Sequence, residues 1–132
     1  MKTVISTSGM SMQDVIDIAR RGSQIEISKD SLEAMAKTRA DVEKQAASDV
    51  PVYGISTGFG ALAQRHIPLE DRVQLQKSLI RSHAAGMGEV VDSEIVRALM
   101  ALRLKTMCSG RTGVRPVVAE TYAAILNAGI TP

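Results

Sequence analysis

The sequence predicts a mainly helical fold, all-α in class with a possible short strand near the N-terminus. Apolar residues recur at helical spacing along most of the 132 residues. Ser, Asp, Pro and Gly stand where such stretches should start and stop. Hydrophobic residues make up 45% of the chain and aromatics only 2%, so any core is built from Leu, Ile, Val, Ala and the seven Met.

The elements follow in order. Ser11 with Asp14 forms an S-x-x-D start, and Val15, Ile16, Ile18 and Ala19 supply one apolar stripe until Gly22 stops the helix. "IEIS" (Ile25 to Ser28) alternates and reads as a short strand or an extended link; the residues before Ser11 read as a leader. Ser28 is placed to open a second helix reaching about Ser48, with Leu32, Met35, Ala36, Val42 and Ala46 in helical period. The stretch "VYGISTGFG" (Val52 to Gly60) then interrupts the pattern. Pro68 sits where a third helix begins, its face formed by Leu69, Val73, Gln76, Ile80 and His83, and Gly86 and Gly88 end it. Asp92 or Ser93 starts a fourth helix that is apolar over much of its circumference. A fifth runs from near Pro116 to Asn127-Ala128-Gly129. In blocks, residues 1–50 are a helical leader, 51–67 a tyrosine loop, and 68–132 the start of a helical bundle. The ending "GITP" looks like the entry to another element, so the sequence reads as the front part of a longer protein.

Composition removes several function classes. A net charge of +2, without a basic stripe or stacking aromatics, argues against a nucleic-acid module. No apolar run approaches the roughly 18 residues of a membrane span, and the N-terminus lacks the apolar core of a secretory signal. The one cysteine, Cys108, leaves no internal disulfide and no multi-cysteine zinc site, which fits a reducing cytoplasm.

Residue by residue, the chemistry is sparse. The glycines of the Tyr53 loop (Gly54, Gly58, Gly60) fit neither a dinucleotide fingerprint nor a P-loop. Taken alone they read as a turn; the functional alternative is a lid carrying a phenol over a site. A phenol is a weak base unless a dry, electropositive pocket lowers its pKa from about 10. His83, on an apolar helical face, reads as a hydrogen-bonded core residue before it reads as a ligand, and His66 as a surface residue. Cys108 reads as a small buried hydrophobe. Arg111 and Arg115, on a turn into the last helix, suit either an anion or helix-end packing. No metal site is expected from two histidines without spaced carboxylates.

Three ordered motifs go further. "VYGISTGFGALA", "QLQKSLIRSHAAGMG" and "RALMALRLKTMCSGRTGVRPVVAETYAAILNAGITP" together resemble the aromatic amino acid ammonia-lyases, and among them the N-terminal part of the histidine-specific members. The resemblance implies long helical chains, tetramers, and active sites drawn from more than one subunit. It implies elimination of ammonia from an amino acid, with urocanate as the product from histidine. It also implies a methylidene-imidazolone electrophile formed from an Ala-Ser-Gly triad that lies beyond residue 132.

By motif, Tyr53 matches the family's loop tyrosine, implicated in proton transfer, with Gly54, Gly58, Phe59 and Gly60 in its lid. His83 matches the histidine expected beside the substrate ring, favouring L-histidine over tyrosine, and either over phenylalanine. "TSG" (Thr7 to Gly9) and "CSG" (Cys108 to Gly110) resemble the triad but lack the residues that follow it in the family. The chain alone is therefore expected to be inactive and to self-associate, because Leu99, Met100, Leu104, Val117 and Ile125 need cover. The alternatives are a non-catalytic partner or assembly subunit of a longer lyase chain, a fragment of a tyrosine- or phenylalanine-specific relative, and a small basic helical binding module.

Overall fold

The computed structural model describes residues 1–132. The chain divides into two compact units: Met1–Ala40 with Val90–Pro132, and Asp41–Glu89.

The first unit opens with a β-α-β element. Strand β1 (Lys2–Ile5) pairs in parallel with β2 (Gln24–Ile27), in a register that sets Lys2 beside Gln24 and Ile5 beside Ile27. Of the two readings open for residues 25–28, strand or extended link, the strand holds, one residue earlier than read; β1, whose four residues are too short to show a period, has no counterpart in the sequence reading. Their alternation is visible only once paired: Thr3 and Ile5 are buried, while Lys2 and Val4 face out. Lys2 forms an ion pair with Glu26 across the strands, and the buried hydroxyls of Thr3 and Ser23 lie 2.9 Å apart.

Between the strands, helix α1 (Met12–Arg21) starts as its sequence predicts. Ser11 Oγ accepts from the Asp14 amide at 3.1 Å, and the Asp14 carboxylate accepts from the Ser11 amide at 2.9 Å. Gly22 closes the helix at φ 64°. Helix α2 spans Lys29–Ala46, α4 Ser93–Cys108 and α5 Pro116–Asn127; α4 is opened by Asp92, whose carboxylate accepts from the Glu94 amide at 2.9 Å.

The apolar core lies wholly in this unit. It joins Ile5 and Ile25 of the sheet to Ile18, Met35, Leu104 and Leu126 of the four helices, with Ala101 and Ala119 letting backbones approach. Met100 and Leu104, expected to need an outside partner, are covered by this core, and Ile125 is half-buried against it. Leu99 and Val117 remain exposed, and Ile95, Leu99 and Leu102 form an uncovered stripe along α4. At the end of α4, Gly110 adopts φ 70°, and a Cβ there would lie 2.6 Å from that of Ala34. The Thr38 hydroxyl donates to the Gly110 carbonyl at the same approach.

Two polar side chains lock the elements together. Arg97 of α4 donates from Nε and Nη2 to the Ile18 carbonyl at 3.2 and 3.0 Å, and from Nη1 to the Leu126 carbonyl at 3.1 Å. It therefore serves the C-terminal ends of both α1 and α5, where carbonyls lack intrahelical donors and the helix dipole favours a cation. Asn127 accepts from the Ile25 amide at 2.8 Å and donates to the Ile25 carbonyl at 2.9 Å, pairing with β2 as a neighbouring strand would.

The second unit holds the Tyr53 loop, 3-10 turns at Gly60–Leu62 and Leu69–Asp71, and helix α3 (Arg72–His83). Its buried residues are the run 56–58, Ser-Thr-Gly. The apolar face predicted for α3 exists as a stripe but is not covered: Val73 and Ile80 are exposed. No helix in the chain is long and apolar enough to cross a membrane.

Removing the Arg97 guanidinium while keeping its stem, as Arg97→Met, takes both donors from the Ile18 carbonyl and leaves the Leu126 carbonyl with only the Gly129 amide at 3.1 Å. The expected loss is about 3 kcal/mol in unfolding free energy, read from the urea midpoint by circular dichroism; a loss under about 0.5 kcal/mol would place the variant among neutral surface changes.

Candidate functional site

The Tyr53 loop is built on hydrogen bonds around a buried hydroxyl. Ser56 is fully buried. Its Oγ accepts from the Val52 amide at 2.9 Å and donates to the Val50 carbonyl at 3.4 Å. The Val52 carbonyl accepts from the Ile55 and Ser56 amides, each at 3.0 Å. Both backbone groups of Val52 are thus committed, and Tyr53 follows directly from a pinned residue. Farther along, the Gly58 amide donates to the Arg65 carbonyl at 3.2 Å and the Ile67 amide to the Ser56 carbonyl at 2.9 Å. Thr57 and His66 form an antiparallel bridge.

Tyr53 is 63% exposed. Phe59 meets it edge-on, with centroids 5.9 Å apart and planes at 80°, a favourable quadrupole geometry. The glycines make that pairing possible. Gly54 has φ 72°, and a Cβ there would sit 3.4 Å from Phe59 Cε1; at Gly58 a Cβ would fall 2.6 Å from that of Leu62. They thus permit a positive φ and a close backbone turn.

His83 ends α3 and is exposed, so the core reading of this histidine does not hold; the helix face it continues has nothing packed on it in the chain. Its Nδ1 lies 2.9 Å from the Leu79 carbonyl and 3.0 Å from Ser82 Oγ, while Ser82 Oγ donates to the same carbonyl at 2.9 Å. A carbonyl only accepts, so the ring proton is assigned to Nδ1. In that tautomer Nε2 is the hydrogen-bond acceptor. The bonds of His83 stay within its own helix, and the ring partner of Tyr53 is Phe59; no hydrogen bond or ring contact joins Tyr53 to His83 directly. His66 is exposed, as its sequence context predicts.

Thr7, Ser8 and Gly9 of one triad look-alike and Ser109 of the other line one open cavity of about 720 Å³, with Lys105, Thr106 and Arg111. Three of its hydroxyls already donate within the protein: Thr7 to Asp30, Thr106 to the Leu102 carbonyl and Ser109 to the Thr106 carbonyl. The Gly110 amide is bonded to the Met107 carbonyl at 3.3 Å, which holds this segment as a helix end. Cys108 is fully buried. Burial pushes its thiol up to about 11, with Lys105 pulling weakly the other way. No group of three or more His, Cys, Asp or Glu side chains is placed to hold a metal.

The fold of this mainly helical chain, with its exposed Tyr53 loop, is that of the N-terminal quarter of solved ammonia-lyases and aminomutases. It superposes on a tyrosine aminomutase from Streptomyces globisporus with a TM-score of 0.93 at 31% identity, covering 100% of this chain and 25% of that one. Against a histidine ammonia-lyase from Trypanosoma cruzi the score is 0.87 at 32% identity, again covering 100% and 25%. The chain belongs to the aromatic amino acid lyase family, whose profile matches residues 10–132. It is 60% identical over 129 residues to the histidine ammonia-lyase of Streptomyces avermitilis, covering 98% of this chain and 25% of that protein. It thus spans about a quarter of the length of the curated relatives it matches and corresponds to their N-terminal part.

Of the site, sequence reasoning missed Ser56 and Arg72. Ser56 lies inside the quoted motif but shows no sign of burial there. Arg72 shows none of its contacts, which reach back to Ala46 and across to Ile67.

Because the folded thiol of Cys108 titrates near 11 rather than 9.0, the unfolded chain loses its proton first as pH rises. The contribution of Cys108 to stability should therefore be constant below pH 9 and fall between pH 9 and 11, by up to about 1.4 kcal/mol per pH unit. Cys108→Ala should remove that component from urea unfolding measured across this range; an identical slope in the variant would contradict the assignment.

Proposed function

We propose that this chain is the tyrosine-bearing part of an enzyme that eliminates ammonia from L-histidine, giving urocanate, in the cytoplasm. The observation that carries the reading is the Tyr53 phenol, exposed yet fixed at its backbone by the Ser56 and Val52 hydrogen bonds, in a chain so close to histidine ammonia-lyases.

In this reading Tyr53 exchanges a proton with the substrate as the β-hydrogen and the amine depart. His83 orients the substrate ring. Its free Nε2 accepts a hydrogen bond, so it matches the N–H of an imidazole or the O–H of a phenol and offers nothing to a phenyl ring. This supports histidine first and tyrosine second, with phenylalanine last.

The methylidene-imidazolone implied by the resemblance does not fit the look-alike at 108–110. Ring formation needs the amide of the third triad residue to attack the carbonyl carbon of the first. At 108–110 that amide is tied to the Met107 carbonyl, and Ser109 and Gly110 form the turn that ends α4, with Gly110 at φ 70°. In this reading the electrophile is supplied by residues outside this chain.

The test is exchange of this segment for the matching quarter of a Streptomyces histidine ammonia-lyase. The hybrid should release urocanate from histidine, seen by its ultraviolet absorbance, and Tyr53→Phe should slow it by about 10²-fold or more. The isolated chain should give none. A hybrid in which Tyr53→Phe turns over normally would refute the assignment, as would lyase-level turnover by the isolated chain.

A second reading concerns partners. The uncovered Ile95, Leu99 and Leu102 stripe and the bare face of α3 support self-association or docking on a longer lyase chain. Light scattering should give a mass above that of the 14.1 kDa monomer, and Leu99→Lys should return it towards the monomer. A strictly monomeric native chain at high concentration would oppose this reading.

A further inference from the structure

Arg72 stands at the first position of α3 and reaches two carbonyls in two directions. Its Nη1–H donates to the Ala46 carbonyl at 2.8 Å and its Nε–H to the Ile67 carbonyl at 3.1 Å. Ala46 is the last residue of α2, where a carbonyl has no intrahelical donor. Ile67 closes the loop, and its own amide donates to the Ser56 carbonyl at 2.9 Å. One guanidinium therefore holds both stems of the segment that carries Tyr53.

We infer that Arg72 is a positioning residue: its guanidinium clasps the two stems of the Tyr53 loop and so fixes where the phenol stands. The chain of contacts is continuous. Arg72 holds Ile67, Ile67 holds Ser56, and the Ser56 hydroxyl holds Val52, the residue before Tyr53.

The physical need for a clasp follows from what this unit lacks. Its buried residues are Ser56, Thr57 and Gly58, so no apolar core holds the loop ends together. Closing a long segment has an entropic cost that grows with its length, and here hydrogen bonds from a fixed point must meet it. Arginine suits the position because its planar fork presents two N–H groups in set directions. A helix C-terminus adds electrostatic attraction for a cation. The role in proton transfer rests on the lyase reading above; the clasp itself does not.

The chain offers a clean assay, because it contains two tyrosines and one phenylalanine. Tyr53 and Phe59 face each other, and Tyr122, half-buried in the other unit, is an internal control. In Arg72→Leu the nuclear Overhauser cross-peaks between the Tyr53 and Phe59 rings should vanish. The Ile67 and Gly58 amides should exchange about tenfold faster or more, with Tyr122 unchanged. Arg72→Gln, a milder change that loses at least one of the two bonds, should loosen the same signals to a smaller degree and serves if the leucine variant unfolds. Wild-type cross-peaks and exchange in the folded variant would overturn the clasp.

In the active hybrid enzyme, Arg72→Leu should lower kcat by about tenfold or more with KM little changed, as expected for a misplaced reacting group. Unchanged kcat would overturn the positioning role. An inactive parent hybrid would count against the lyase reading, and the clasp would then stand or fall on the spectra.

Discussion

The larger unit depends on one guanidinium. Arg97 leaves α4 and satisfies the Ile18 carbonyl in the last part of α1 and the Leu126 carbonyl in the last part of α5. No carboxylate accompanies it in these bonds; its charge is balanced by the negative ends of two helices. This fixes the direction of three helices at once, because the guanidinium is planar and its donors cannot be redirected independently. The apolar core then fills the space these helices define. Hydrophobic burial supplies most of the stabilisation, but it is not directional. The carbonyl contacts settle how far α1 and α5 slide along α4.

The smaller unit solves a different problem. It must display an aromatic hydroxyl to solvent without a core behind it. Its buried residues carry hydroxyls or no side chain, and its order comes from directional bonds among Ser56, Ile67, Gly58 and Arg65. Such a unit is expected to open at lower free energy than the helical core. The glycines of "VYGISTGFG" are what its geometry demands: positive φ at Gly54 and Gly60, and a turn at Gly58 too tight for a side chain.

Most helix boundaries were legible in the sequence because they are written in local chemistry. Ser11 with Asp14, Gly22 and Asp92 each cap a helix end within a few residues, and Pro116 stands at the first position of α5. What escaped was long-range. Strand β1 exists because β2 lies beside it. Arg97, Asn127 and Arg72 look like ordinary surface residues until the chain is folded. His83 was legible as a candidate ligand, yet its burial was misjudged, since an apolar helical period cannot say whether the covering surface belongs to the same chain. The tautomer of its ring depends on Ser82 and Leu79 geometry, which residue types alone do not fix.

The pairing of Asn127 with Ile25 gives the small sheet a handed boundary. Along β2, the residues facing β1 alternate with those facing away, and Ile25 is of the second kind, its amide and carbonyl both occupied by one side-chain carboxamide. Growth of the sheet past β2 would have to displace that carboxamide and the end of α5 with it. The other side has no such seal, and there the outward Lys2, tied to Glu26, supplies the charge that discourages edge-to-edge pairing. A two-stranded sheet is ordinarily a template with two open margins; here one margin is shut by geometry and the other guarded by charge.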